Sequence, residues 1–228
     1  PAGEPGVTAP EGSAGHTCSP PQAGGAEGAW HSAAVDVGAF WKLIEECRRR
    51  TRGRDERPTW LRDELSRRPL TEIVQFQVLL DEVTHEALTW DLWAAAERIS
   101  GLVSDDGFCY FRPWMVGLGR DAFFRAVADP DTLADTPEVR CLVGRPRELW
   151  NDDWPEWESL DYVAVQAYGL RVGTDDDCGD AFYEAVETGD AEGTREPLGE
   201  WWDVRDEDEA TRRLPRLSAM LPLRSLTR

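Results

Sequence analysis

The sequence predicts an all-α fold, an irregular domain of about seven to nine helices behind a disordered N-terminal tail, and three observations predict it. Apolar residues recur at three- and four-residue spacing through most of residues 36–228. Thr, Ser and Asp stand where those patterns begin, as helix caps do. No pair of alternating segments joined by a hairpin turn is present.

Residues 1–35 are mostly Gly, Ala, Pro and Ser, too poor in large side chains to offset the entropy of ordering them. They are expected to be a tail, followed by a single helical domain over 36–228 with an acidic C-terminal third. Deleting the residues before Val35 is expected to leave stability unchanged within about 0.5 kcal/mol. Thermal unfolding of the shortened chain measures this, and a substantial loss would mean that Trp30 or its neighbours dock on the domain.

Asp36 can cap a first helix in which Val37, Phe40, Trp41 and Ile44 share one face and Lys42, Glu45 and Glu46 the other. Residues 48–57 are a basic, Gly-interrupted loop whose arginines balance nearby acids, without the Gly-rich pattern of a phosphate site. A short helix from Thr59 buries Trp60, Leu61 and Leu65 and stops before Pro69. Over residues 71–87, Ile73, Phe76, Leu80, Val83 and Ala87 give the longest amphipathic pattern, expected to be the central core helix packing on the next two.

Thr89 is placed to cap a helix over residues 90–99 that ends at Ser100-Gly101, and Ser104 to cap the next, with Phe108, Phe111, Met115 and Leu118 inward. Pro113 within that helix removes one backbone hydrogen bond and is expected to bend it. Residues 120–128 form a further helix on Phe123, Phe124 and Val127, ending at Asp129-Pro130, with a loop through Pro137. A turn at Asn151-Asp152-Asp153-Trp154-Pro155 precedes a helix on Leu160, Ala164, Ala167 and Tyr168. Helices at residues 181–187 and 207–214, the latter stopped at Pro215, complete the reading as an acidic cover.

The formal net charge of −19 repels phosphate backbones, so nucleic acid is not an expected partner. The same field favours a small cationic molecule, a metal ion or a basic protein partner, although its first effect is solubility. Five widely spaced cysteines without a Cys-x-x-Cys pair fit a reducing cytoplasm. His16 and His31 fall in the tail, leaving His85 alone for a zinc site, so no metal and no cofactor is expected. No apolar run approaches a membrane span and the first residues lack the regions of a secretory signal. The expected location is the cytoplasm.

The segment Leu88-Thr89-Trp90-Asp91-Leu92-Trp93-Ala94-Ala95-Ala96, followed by Ser104-Asp105-Asp106-Gly107-Phe108 and Phe111-Arg112-Pro113-Trp114, resembles the bacterial family known as domain of unknown function 4240. The similarity runs from Phe40-Trp41 to Asp129-Pro130-Asp131 and is weaker around residues 162–168. It implies a helical fold and no chemistry. Pro113 stands where that pattern leads one to expect a residue other than proline.

Within that unit, Trp90, Asp91, Trp93, Asp105, Asp106, Tyr110, Arg112 and Trp114 bring carboxylates, a guanidinium and flat aromatic walls close together. Such a set can line a small-molecule pocket in which indoles exclude water and a carboxylate acts as base or anchor. A structural role accounts for the same residues: acids in first helical turns are stabilised by about 0.3–1 kcal/mol, and tryptophans one turn apart form a packed face. Asp106 is a stronger candidate than Asp91, because Gly107 leaves room at the helix start.

Thr174-Asp175-Asp176-Asp177-Cys178-Gly179-Asp180 has the acids of a calcium loop, but glycine and the closing glutamate fall out of register. His85-Glu86 lacks a second histidine four residues on, where Thr89 stands. His85 with Cys109 or Cys141 is left as a pair that only the fold could bring together. The function expected is therefore a binding or interaction module. The alternative is a small-molecule enzyme using Asp91 or Asp106 in a tryptophan-lined interhelical pocket.

Overall fold

The computed structural model describes residues 37–101, 103–173, 178–187 and 196–222. The expected tail, the Asp36 cap and the acids at 175–177 lie outside them. The described residues form one compact unit. The helices in order are α1 (Val37–Arg50), α2 (Glu56–Leu65), α3 (Leu70–Glu86), α4 (Trp90–Ser100), α5 (Asp105–Val116) and α6 (Arg120–Ala128). After a 3-10 turn at Pro130–Asp135 come α7 (Pro137–Arg140), three more 3-10 turns between Arg147 and Leu160, α8 (Val163–Val172), α9 (Cys178–Glu187), α10 (Glu207–Arg213) and α11 (Pro215–Met220). Among the described residues nine helices are seven residues or longer, and no strand forms beyond one isolated parallel bridge between Thr89 and Leu198.

The amphipathic pattern places α3 at the centre, with Ile73, Leu80 and Val83 fully buried. It packs on α8, α9, α5 and α1. α4, expected against α3, has its main packing on α5, on the turn Pro130–Asp135 and on α11. Thr89 Oγ accepts Leu92 N–H at 3.1 Å and Ser104 Oγ accepts Gly107 N–H at 3.1 Å, so both predicted caps form. α5 runs through Pro113, which is buried.

Boundaries differ from the sequence reading at the starts of α8 and α9, which lie at Val163 and Cys178, and at three further places. Arg48, Arg49 and Arg50 continue α1, where three cations suit the negative end of the helix, and α2 starts at Glu56, so the basic loop is only residues 51–55. The expected loop through Pro137 is a 3-10 turn, and Pro137 opens a short helix, each started by a capping side chain: Asp129 accepts from Asp131 N–H and Thr136 from Val139 N–H. Pro215 follows α10 but also opens α11, since its missing N–H costs nothing in a first turn.

The C-terminal segment is fastened to α4 and its neighbours by buried polar groups. Glu97, 2% exposed, accepts Val103 N–H at 2.9 Å and Arg205 Nε–H at 3.3 Å. Arg98, 1% exposed, donates to both oxygens of Glu207 at 2.9 Å. Asp131 accepts the N–H groups of Arg216 and Leu217 and so caps α11. Trp90 N–H bonds the Leu198 carbonyl at 3.1 Å, and Leu198 N–H the Leu88 carbonyl at 2.8 Å, which binds residues 196–205 along the α3–α4 junction.

Candidate functional site

Helical spacing sets Trp90 and Trp93 one turn apart on α4, and their rings stack at 5.8 Å with a 24° tilt. Trp93 packs on Phe108 of α5 at 4.7 Å, which anchors the pair to the core. From the C-terminal segment Trp201 meets Trp90 edge-on, at 6.4 Å and 84°. Two indole faces and a perpendicular third therefore bound an open corner. Trp201 is 68% exposed, the most exposed of the large apolar side chains described.

That corner belongs to two adjoining depressions that share Trp90, Trp93, Asp105 and Trp201. One, about 640 Å³, is also lined by Asp106, Asp203 and Arg205. The other, about 1060 Å³, reaches His85, Cys109, Arg112 and Glu196. Asp105, Asp106 and Asp203 are exposed and form no ion pair among the described residues. Arg205 is paired with Glu97, and Arg112 donates to the Thr84 carbonyl at 3.1 Å and to Cys109 Sγ at 3.4 Å. The unbalanced charge at the rim is thus negative.

Of the eight residues singled out in sequence, Trp90, Trp93, Asp105 and Asp106 line the first depression, and Arg112 joins Trp90, Trp93 and Asp105 in the second. The other three lie elsewhere. Asp91 faces the C-terminal segment, accepting Trp202 Nε1–H at 2.8 Å and Arg213 Nη1–H at 3.4 Å. Trp114 is 2% exposed and packs on Phe111 in the core. Tyr110 stands by Glu158, whose negative charge, with a hydrogen bond, pushes the phenol above its ordinary value. At Gly107 the N–H is bound by Ser104 Oγ, and a Cβ there would make only ordinary contacts at 3.5 Å.

Sequence reasoning missed Trp201, Asp203 and Arg205, which complete the first depression. The adjacent Trp201-Trp202 pair within an otherwise polar stretch was the available signal. It also could not pair His85 with Cys109, which the fold brings to one depression, while Cys141 lies outside both and donates to the Glu138 carbonyl at 3.0 Å. Behind Arg112, burial pushes Asp161 up to about 6, the negative charge of Asp81 adds to this, and the Arg112 charge opposes it. No group of three or more His, Cys, Asp or Glu among the described residues is arranged to hold a metal ion.

No helix among the described residues is long and apolar enough to cross a membrane. A family model described as Protein of unknown function (DUF4240) matches residues 35–169, more than half of the chain. That span holds Trp90, Trp93, Asp105, Cys109 and Arg112 but not Trp201. No curated protein and no solved structure matches.

Proposed function

We propose, from the premise that the chain belongs to the Protein of unknown function (DUF4240) family, that it is a binding module for a small organic cation carrying an ammonium group. The observation that carries this reading is the right-angled corner of Trp90, Trp93 and Trp201 with the unpaired carboxylates Asp105 and Asp106 beside it. Indole faces attract a cation through their quadrupole, and carboxylates at the rim add charge complementarity. An indole as exposed as Trp201 contributes little to folding, so its exposure is better accounted for by a ligand than by packing. Catalysis by Asp91 has no such support, because that carboxylate is committed to Trp202 and Arg213. A cytoplasmic location suits the reading, supported by unpaired thiols at Cys47, Cys109 and Cys141.

Titrating the chain with choline and with its neutral isostere 3,3-dimethylbutanol, followed by tryptophan fluorescence and calorimetry, tests the proposal. Choline is expected to bind saturably and the isostere far more weakly. Trp201→Ala is expected to weaken choline binding at least about tenfold, the effect of losing one cation–π wall, while unfolding shifts little. Equal binding of both molecules, or full choline affinity in Trp201→Ala, would refute it.

A further inference from the structure

The second depression gathers a thiol, a guanidinium and an imidazole that cation binding does not require: Cys109, Arg112 and His85. Cys109 is exposed and unpaired on the second turn of α5. Arg112, one turn further on, donates Nη2–H to its sulfur at 3.4 Å. The same guanidinium is held in place twice more, by Nη1–H to the Thr84 carbonyl at 3.1 Å and by lying 5.6 Å over the Phe108 ring. The bond to Thr84 ties the last turn of α3 to α5, and His85 of that turn lines the same wall.

We propose that Cys109 is a nucleophilic modification site for small disulfides that carry an ammonium group. The inference rests on the cation reading for its preference: the indoles of Trp90 and Trp201 and the carboxylates of Asp105 and Glu196 receive the ammonium end. The Arg112 charge beside the sulfur offsets the negative charge that sulfur carries as it attacks. Cys109 gives its proton to water, and the thiolate attacks one sulfur of the ligand. A bond forms between Cys109 Sγ and that sulfur, the ligand's own S–S bond breaks, and its second sulfur leaves as a thiolate that takes up a proton. Cys109 is oxidised and the departing half reduced, so the disulfide is the only oxidant required. In a reducing compartment a second thiol reverses the adduct, which makes the modification transient.

Cys47 and Cys141 are unlike it. Cys47 is buried, and burial pushes its thiol up to about 11. Cys141 donates to a backbone carbonyl, and burial raises it too.

The full chain is treated separately with cystamine, a dication, with neutral 2-hydroxyethyl disulfide and with anionic oxidised glutathione, and adducts are assigned by peptide mass mapping. Cystamine is expected to label Cys109 at least about tenfold faster than Cys141, and faster than either other disulfide labels Cys109. Arg112→Gln is expected to slow labelling at Cys109 severalfold without changing it at Cys141, and Arg112→Lys to restore part of the rate. Equal cystamine rates at Cys109 and Cys141, or no effect of Arg112→Gln, would overturn the thiol site even where choline binds. Absent choline binding together with Arg112-dependent labelling of Cys109 by the neutral disulfide would overturn the ammonium preference along with the cation reading.

Discussion

Replacing Glu97 with Ala is expected to lower stability by about 3 kcal/mol, whereas Glu97→Gln should cost about 1 kcal/mol. The carboxylate is 2% exposed and one of its oxygens is the acceptor for the buried Val103 N–H at 2.9 Å. Alanine leaves that donor without a partner in a place water does not reach, a loss of about 1–3 kcal/mol, and opens a cavity besides. Glutamine keeps an acceptor oxygen for Val103 N–H and gives up the charge together with the acceptor for Arg205 Nε–H. The charge itself is worth less than burial suggests, because its partner Arg205 is 59% exposed and water screens the pair. Urea unfolding of both variants measures the difference. Equal losses would show that the Val103 bond is not the source. Val103 and Arg205 also line the first depression, so Glu97→Ala should weaken choline binding as well.

What the sequence made visible follows the separation over which each interaction acts. The caps at Thr89 and Ser104 reach three residues along the chain, so residue type and spacing were enough to find them. Trp90 and Trp93 were equally legible, since one helical turn sets both on one face. The partners of Asp91 were not legible, because Trp202 and Arg213 stand 111 and 122 residues away. Trp201 was missed for the same reason, because the backbone pairing of Leu198 with Leu88 and Trp90 that delivers it cannot be seen from periodicity. Pro215 was read as stopping α10, as it does, but not as opening α11: a residue without an N–H suits the position after one helix and the first turn of another equally. The half of the groove on α4 and α5 was therefore readable, and the half on the C-terminal segment was not.

Replacing Asp161 with Asn is expected to stabilise the protein above pH 7 and to do nothing below about pH 4. Burial is the main reason its carboxyl is raised from 3.8 to about 6, with the nearby charge of Asp81 second. A raised carboxyl favours the neutral form in the folded chain. Its contribution is thus fully present below 3.8 and is lost as the pH rises through about 6, where the folded protein must carry a charge it poorly solvates. About two units of displacement correspond to roughly 3 kcal/mol at most, and partial exposure of the group brings the expectation to about 1–2 kcal/mol. Asparagine keeps the shape and removes the charge, so it should show that gain at pH 7.5 and converge with the parent at pH 4. Arg112 supplies the opposing prediction, because its positive charge favours ionised Asp161. If that attraction outweighed burial, Asn would destabilise the protein at pH 7.5 and release the guanidinium that lies beside Cys109. Denaturant unfolding at the two pH values separates these cases by the sign of the difference. A loss at pH 7.5, or the same difference at both, would reject burial as the dominant effect.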